Sequence, residues 1–267
     1  MGKSILSTYD AVSFKDKTVL ITGAASGIGR ATAIRFAEAG AVLQLLDIDG
    51  DGLAETIELC EHDAREHTAH VIDMSSKAKI DKFWDSISDN LPDVIVNNAG
   101  IYPMMDYLKV DEAYLKKILD VNMNSAFWMC QNYIAKRQKK GGIIINTSSI
   151  EAILPFKRDM IHYSMSKAGI IALTRSLSRD YGKMGFRCNV VMPGAIMTPG
   201  TESLMKQALM GLNLSLFKTG YDFKQRIANG NWGEPDDVAK VILFLSSDLA
   251  SYVQGAVLPV DGGFLSA

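Results

Sequence analysis

Short, largely apolar segments alternate with helix-like segments along almost the entire chain of 267 residues. Continuous apolar strands joined by helices are typical of a parallel sheet that is buried on both faces. The strand candidates are Thr18–Thr22, Val42–Leu46, His70–Ile72, Val94–Val96, Ile143–Ile145, Cys188–Val191 and Val257–Val260, and the helix candidates are 29–39, 53–60, 77–87, 114–140, 164–181 and 235–246. The pattern therefore predicts an α/β fold with a single doubly wound, mostly seven-stranded parallel sheet and helices on both faces.

The chain is long enough for one large α/β domain and short for two. No repeat or low-complexity linker divides it, so we interpret 1–267 as one domain. The interval 201–233 is rich in Leu and Met and is too long for an ordinary connection. Because it starts where a ligand of such a sheet binds, we interpret 198–233 as a substrate lid. A helical pair packed permanently on the sheet is the alternative.

Composition excludes several functional classes. The chain is 48% hydrophobic and 22% charged with a net charge of −2, so no basic field favours nucleic acid or an acidic membrane. No apolar run is long enough to cross a bilayer, and the first residues lack the apolar core of a secretory signal. The three cysteines are scattered and form no CxxC pair, which predicts a reduced, cytoplasmic protein with buried thiols.

A glycine-rich turn, Thr22-Gly-Ala-Ala-Ser-Gly-Ile-Gly29, follows the first strand. Glycines there permit a tight turn and a close approach of the main chain to a pyrophosphate, and the amino end of the next helix favours negative charge. Asp47 ends the second strand, where a carboxylate accepts hydrogen bonds from ribose hydroxyls and repels a 2′-phosphate. The pattern predicts NAD rather than NADP, although Asp47 also suits a turn or a helix cap.

Tyr163 and Lys167 are four residues apart, so they share one face of a helix. A tyrosine with the usual pKa near 10 is a poor base at neutral pH, and a nearby ammonium lowers that pKa. Together with the glycine-rich turn, this pair predicts proton transfer beside a bound dinucleotide.

From about Lys17 to Gly263 the chain resembles the short-chain dehydrogenase/reductase family. The segments Leu245–Gly255 and Val260–Gly263 resemble the branch of 3-oxoacyl-carrier-protein reductases and sugar dehydrogenases. The resemblance implies a Rossmann-type fold and an NAD-dependent oxidoreductase that interconverts a secondary alcohol and a ketone by hydride transfer. An NADP-dependent 3-oxoacyl thioester reductase is the alternative, which Asp47 disfavours. A non-catalytic cofactor-binding regulator is disfavoured because the catalytic side chains are kept.

The resemblance also implies a role for individual residues. Tyr163 is the acid/base, Lys167 lowers its pKa and binds ribose, Ser149 orients the substrate, and Asn122 serves a proton relay. Asp73 contacts adenine, while the main chain at Ile196 and the Thr198 hydroxyl hold the nicotinamide carboxamide. The complete set of implied cofactor-binding residues is Gly23, Ser26, Gly27, Ile28, Gly29, Asp47, Asp73, Asn98, Ala99, Gly100, Tyr163, Lys167, Pro193, Gly194, Ile196 and Thr198.

Some assignments stay open at this stage. The family's serine usually lies thirteen residues before its tyrosine, whereas Ser149 lies fourteen before Tyr163, which leaves Ser148 as a second candidate. Four polar residues near the tyrosine are candidates for facing the substrate, without a ranking: Glu151, Lys157, Arg158 and His162. For His162, a position on the surface of the substrate loop or in packing is favoured over a role as a second base. A second group, His62, His67 and His70, fits a solvated helix end and loop better than a metal site.

The expected partner is a small-molecule alcohol or carbonyl compound. The helices predicted at 114–140 and 164–181 are apolar around much of their circumference, and the chain ends in an apolar tail. Surplus apolar faces are buried when copies of a chain associate around two-fold axes. The sequence thus predicts a homotetramer, with a homodimer as second choice.

Overall fold

The computed structural model describes residues 6–60, 65–202, 206 and 222–266. Seven parallel strands form one sheet in the order β3-β2-β1-β4-β5-β6-β7. They are β1 (Thr18–Thr22), β2 (Val42–Asp47), β3 (Thr68–Val71), β4 (Val94–Asn97), β5 (Gly142–Thr147), β6 (Phe186–Pro193) and β7 (Val257–Val260). The predicted fold class is confirmed.

Most of the described helices connect successive strands. They are α1 (Thr8–Ala11), α2 (Gly27–Glu38), α3 (Gly50–Cys60), α4 (Lys77–Ser86), α5 (Glu112–Leu119), α6 (Ser125–Arg137), α7 (Ile161–Tyr181) and α8 (Pro235–Ser246). The helix expected at 114–140 is interrupted by a π-helical turn, Asp120–Asn124, between α5 and α6. None of the helices in the described ranges combines the length and the hydropathy needed to cross a bilayer.

Alternation along the strands divides the core between the two faces of the sheet. Val19 and Ile21 belong to the cluster that contains α2 and α8, whereas Leu20 belongs to the cluster that contains α4 and α6. All three side chains have no exposed surface, which explains why the strands are apolar at consecutive positions. With both faces covered, the carboxyl edge of the sheet is left open for a ligand.

Paired polar side chains lie inside two of the strands, and one of them explains why β5 is longer than its apolar run. Asn146 extends β5, where its amide accepts a 2.8 Å hydrogen bond from Asn97 and donates a 2.9 Å hydrogen bond to Thr174. Asn189 lies within β6, where it donates to the Val253 carbonyl at 2.8 Å. Buried amides that are paired in this way do not interrupt a strand.

Candidate active site

A cleft of about 420 Å³ lies at the carboxyl ends of the central strands. Parallel strands bring the loops that follow them to this one edge, so segments distant in sequence meet there. Its walls include the following predicted site residues: Gly23, Ser26, Gly27, Ile28, Asp47, Asn98, Ala99, Gly100, Ser149, Tyr163, Lys167, Pro193, Gly194, Ile196 and Thr198. Three predicted residues, Gly29, Asp73 and Asn122, do not line the cleft.

The glycine-rich turn forms one wall of the cleft, and two of its glycines are stereochemically required. Gly23 has φ 68°, and a Cβ on it would lie 2.8 Å from the Ala99 Cα. A Cβ on Gly29 would lie 1.9 Å from the Gly23 carbonyl oxygen, so Gly29 acts behind the wall by letting α2 pack close to β1. The side chain of Ser26, which precedes α2, makes no capping hydrogen bond, so it leaves the first amides of that helix available.

Asn98 and Thr22 tie the glycine-rich turn to the loop after β4. The Asn98 side-chain amide donates to the carbonyl oxygens of Thr22 and Gly23 at 3.3 and 3.2 Å. In return, the Thr22 hydroxyl accepts from the N–H groups of Asn98 and Ala99, both at 3.1 Å. The two loops therefore form one pre-organised surface.

Asp47 lines the cleft and also organises the main chain around it. Its carboxylate accepts hydrogen bonds from the N–H groups of Ala25 at 3.0 Å, Ile48 at 2.7 Å and Asp49 at 3.1 Å. Asp49 in turn accepts from the Gly52 N–H in the first turn of α3. Asp47 thus both accepts hydrogen bonds from the turn and lines the cleft, so the two interpretations of this residue are compatible.

Asp73 lies in the turn before α4. Its carboxylate accepts from the Ser75 N–H at 3.0 Å and from the Ser75 hydroxyl at 2.7 Å, and these bonds keep the pKa of Asp73 below its usual value. Asp73 does not line the cleft, so its predicted contact with adenine stays a prediction.

Tyr163, Lys167 and Ser149 meet in the cleft. The Lys167 ammonium donates to the Thr147 carbonyl at 2.9 Å and lies 5.8 Å from the centre of the Tyr163 ring. Burial lowers the pKa of Lys167 to about 8. Burial raises the pKa of Tyr163 to about 12, against the effect of a hydrogen bond with Ser149 and with a further contribution from the Glu151 charge. In the protein alone, desolvation thus outweighs the expected lowering of the phenol pKa.

The two serine candidates occupy different environments. The Ser148 hydroxyl donates a 2.7 Å hydrogen bond to the Lys167 carbonyl, which ties β5 to α7. The Ser149 hydroxyl instead accepts from the Glu151 N–H at 3.2 Å and forms the hydrogen bond with Tyr163. This geometry favours Ser149 over Ser148 as the residue that orients the substrate.

Asn122 lies in the π-helical turn behind Lys167. Its side chain accepts from the Ile101 N–H and donates to the Ile101 carbonyl, both at 2.8 Å. A Cβ on Gly100 would lie 3.3 Å from Lys167 Nζ and 3.4 Å from Asn122 Oδ1, so these two groups flank the same glycine. The π turn therefore directs Asn122 toward the back of the site, as π bulges often do at functional positions.

The structure separates the four residues that the sequence left unranked. Glu151 and Lys157 line the cleft, whereas Arg158 is exposed. His162 lies outside the cleft walls, and its Nε2 contacts the Pro103 carbonyl at 2.9 Å and the Tyr114 hydroxyl at 3.4 Å. This contact agrees with the packing interpretation of His162.

Sequence reasoning missed several residues of the same wall. Tyr102 and Thr147 line the cleft, together with Met160, Phe223 and Trp232. The position of Tyr102, two residues after the Asn97–Gly100 motif, was the available signal for that residue. Most of the predicted lid, 203–205 and 207–221, lies outside the described residues, as do His62 and Ala267.

The cleft fits a dinucleotide by its own chemistry. The uncapped amino end of α2 provides amides for a pyrophosphate, Asp47 provides an acceptor for ribose hydroxyls, and Lys167 provides a buried donor. The Thr147 hydroxyl is buried and has no partner among the described residues. Among those residues, no group of three His, Cys, Asp or Glu side chains has the arrangement of a metal site.

Comparisons with known proteins agree with this geometry. The sequence model of a family described as enoyl-(acyl carrier protein) reductase matches residues 23–265. The chain is 35% identical to levodione reductase from Leifsonia aquatica over 258 residues, which is 94% of each chain. It is 34% identical to 2-dehydro-3-deoxy-D-gluconate 5-dehydrogenase from Bacillus subtilis over 266 residues, with 97% of this chain and 98% of that protein covered.

A solved structure shows the same agreement in three dimensions. It is a protein from Agrobacterium tumefaciens that is proposed to be a 2-deoxy-D-gluconate 3-dehydrogenase, with bound NADP. The two chains share 30% identity and superpose with a TM-score of 0.87, over 97% of this chain and all of the other.

Proposed function

The chain belongs to the short-chain dehydrogenase/reductase family, and from this premise we propose that it interconverts a secondary alcohol and a ketone with NAD(H), with Tyr163 as acid/base. It is an oxidoreductase that uses a nicotinamide cofactor. The observation that carries the proposal is the meeting of Tyr163, Ser149 and Lys167 in one cleft with the glycine-rich turn.

When bound, the nicotinamide cofactor accepts or donates the hydride. We assign its pyrophosphate to the glycine-rich turn and the amino end of α2, and its ribose hydroxyls to Asp47 and Lys167. The main chain at Ile196 and the hydroxyl of Thr198 are assigned to the carboxamide. In the protein alone, the Thr198 hydroxyl lies 3.0 Å from the Thr201 hydroxyl.

Tyr163 moves the proton on the substrate oxygen. Its pKa near 12 keeps the phenol protonated at neutral pH, so it is ready to donate a proton when a ketone is reduced. In the oxidation direction the phenolate must form, and the Lys167 ammonium stabilises that charge. The Ser149 hydroxyl holds the substrate oxygen beside the phenol. Asn122 keeps the loop after β4 in place behind Lys167 and supports the proton relay.

Asp47 supports the preference for NAD, because its carboxylate would repel a 2′-phosphate. An NADP-dependent 3-oxoacyl thioester reductase is the second candidate. It is favoured by the NADP in the Agrobacterium structure and by the acyl carrier protein in the description of the matching family.

We also propose a cytoplasmic homotetramer or homodimer. The cytoplasmic setting is supported by the buried free thiols of Cys60, Cys130 and Cys188.

The proposal is tested by the variant Tyr163→Phe, which removes one oxygen and keeps the shape of the ring. A panel of secondary alcohols and ketones is first assayed with both cofactors. We expect the variant to lose turnover by about 10²-fold or more, since a positioned acid/base contributes about 10²- to 10⁴-fold. Fluorescence titration should show that NADH still binds. Retention of more than about a tenth of the turnover would refute the role of Tyr163.

A further inference from the structure

Lys157 is a cation in the active-site cleft whose side chain has no hydrogen-bond or ion-pair partner within the described ranges. The residue lines the cleft together with Tyr163, and desolvation lowers the pKa of its ammonium. Lys157 is half-buried, so water hydrates its ammonium only in part, and an anionic ligand would supply acceptors in place of that water. The cleft therefore holds a positive charge that the protein itself leaves unmatched at short range.

Glu151 fixes the position of Lys157 through the main chain. Its Oε2 accepts from the Phe156 N–H at 3.1 Å, and its Oε1 accepts from the Lys157 N–H at 3.2 Å. Glu151 itself is buried, with 5% of its surface exposed. On the other side of this loop, the Phe156 ring packs edge-on against Phe223 and Phe264. The loop is thus fixed at Phe156 and Lys157 by main-chain hydrogen bonds and by packing of the adjacent ring.

Glu151 does not substitute for a ligand of the ammonium. Both of its oxygens already accept main-chain hydrogen bonds, and it attracts Lys157 only through longer-range electrostatics. The cleft walls also include apolar side chains that offer no strong acceptor: Ile150, Met160, Phe223 and Trp232. An anionic group on the substrate would supply both the acceptors and the charge that the ammonium lacks.

A second donor without a partner lies in the same cleft. The Tyr102 hydroxyl is buried and has no hydrogen-bond partner among the described residues. Its ring lies 6.3 Å from that of Tyr163 in an edge-on arrangement. A Cβ on Gly200 would lie 2.0 Å from this hydroxyl, so the glycine leaves room for it. The cleft thus offers an ammonium and a phenol, both donors, beside the proposed acid/base.

We propose that the substrate is a hydroxy acid or oxo acid whose carboxylate binds Lys157, with Tyr102 as an additional donor. Lys157 is then the residue that determines substrate class, and Glu151 is a positioning residue. The inference rests on the proposed function, because it assigns the alcohol or carbonyl group of the same molecule to Tyr163 and Ser149. A neutral polyol is the competing substrate class, since its hydroxyls also accept hydrogen bonds but bring no charge.

Matched pairs of compounds separate these two classes. The pairs are 3-oxobutanoate with its methyl ester, 4-oxopentanoate with its methyl ester, and D-gluconate with D-glucitol, each assayed with both cofactors. The acid of at least one pair should have a kcat/KM at least about tenfold above that of its neutral partner, because a charge-assisted hydrogen bond is stronger than a neutral one. A preference for the neutral members throughout would overturn the inference.

Three variants locate the effect. Lys157→Met should raise the KM for the preferred acid by about 30-fold or more and leave the neutral partner within about threefold, because it removes a desolvated charge pair. Lys157→Arg keeps the charge and should retain most of the preference for the acid. Arg158→Met is the matched control, because it removes the exposed neighbouring cation. If Lys157→Met and Arg158→Met raise the KM for the acid equally, the preference comes from the overall positive charge of the region, and the assignment to Lys157 is refuted.

A binding measurement keeps the inference independent of turnover. Butanoate and butanamide are titrated by calorimetry into wild type and Lys157→Met, both saturated with NADH. Butanoate should bind wild type more tightly than butanamide does, and the difference should vanish in the variant. Binding of this kind without oxidoreductase activity on any compound would refute the proposed function and leave the carboxylate site standing. Turnover of neutral compounds alone, with no butanoate binding, would refute the carboxylate site and leave the proposed function standing.

Discussion

The Lys167 ammonium donates a 2.9 Å hydrogen bond to the main-chain oxygen of Thr147 from a position with 4% of the residue exposed. Burial of this charge lowers the pKa of Lys167 from 10.5 to about 8. One pKa unit corresponds to about 1.4 kcal/mol, so the charged side chain destabilises the fold by about 3 kcal/mol at neutral pH. The side chain proposed to stabilise the Tyr163 phenolate thus lowers the stability of the fold.

We therefore expect Lys167→Met to be more stable than wild type at pH 7, by about 1–3 kcal/mol, and to lose about 10²-fold or more in turnover. The sign follows from proton binding, because between pH 8 and 10.5 the unfolded chain holds a proton that the folded chain has lost. The destabilisation by Lys167 should thus fade as the pH rises through that window, and the gap between variant and wild type should narrow. Urea unfolding at pH 7 and pH 10 measures it, with exposed Lys140→Met as the control. A variant less stable than wild type at pH 7 would contradict the argument.

Ser148 and Ser149 offer a matched pair for separating structure from chemistry. Ser149→Ala removes the hydroxyl that contacts Tyr163 and accepts from the Glu151 N–H, so we expect kcat to fall by about 10²- to 10³-fold and stability to fall by about 1 kcal/mol. Ser148→Ala removes the hydrogen bond to the Lys167 carbonyl, so it should cost about 1 kcal/mol of stability and affect kcat far less. Steady-state kinetics and thermal unfolding of both variants check this. The reverse pattern would make Ser148 the residue that orients the substrate.

The sequence was sufficient to predict a doubly wound, mostly seven-stranded parallel sheet and most of the residues that line the cleft. Apolar runs located the central strands because strands buried on both faces are apolar at consecutive positions, whereas the located edge strand β3 is mostly exposed. Their bounds were less accurate, since paired polar residues such as Asn146 extend a strand without an apolar signal. Nothing in the sequence specified the π-helical turn that places Asn122 between α5 and α6.

The substrate end of the cleft could not be predicted in the same way. Lys157 and Arg158 are adjacent cations in one loop, and tertiary contacts such as the hydrogen bond from the Lys157 N–H to Glu151 decide which of them lines the cleft. The position of the Tyr102 side chain likewise depends on the absence of a side chain at Gly200, about a hundred residues away in the chain. Helices and strands can be recognised in a sequence by their hydrophobic periodicity, which loops lack. The directions of loop side chains depend on tertiary contacts.

Asp47 should determine the choice of cofactor. In wild type we expect kcat/KM with NAD(H) to exceed that with NADP(H) by at least about tenfold, or about 1.4 kcal/mol. Asp47→Ala should shift the ratio toward NADP(H), because the repulsion of a 2′-phosphate is removed. It should also destabilise the fold, since three main-chain N–H groups lose their acceptor.

The control for this prediction is Asp49→Ala, which removes a neighbouring carboxylate that caps α3 and does not line the cleft. It should leave the cofactor ratio unchanged. Direct titration of NADH and NADPH into each variant separates binding from turnover. Equal use of both cofactors by wild type would refute the assignment to NAD.

The predicted assembly depends on which apolar side chains the fold leaves uncovered. Ile170 and Ile171 of α7, which the sequence offered as surplus apolar surface, are in fact buried against the sheet. The tail is also covered within the chain, because Phe264 stacks on Phe223 with ring centres 4.3 Å apart. The predicted association must therefore be supported by other apolar side chains that are exposed in one chain.

On α6 and α7 the exposed large apolar side chains are Phe127, with 44% of the residue exposed, and Ile161 and Met165, with 55% and 49% exposed. We expect light scattering at micromolar concentration to give a mass four times the 29.2 kDa of one chain, or twice it for a dimer. Phe127→Glu or Met165→Glu should lower that mass, because a charge at the centre of an apolar interface is left unpaired on association. Leu108→Glu alters an exposed leucine outside these two helices and should leave the mass unchanged. A wild-type mass near that of one chain would reject the assembly, and equal effects of all three variants would place the interface elsewhere.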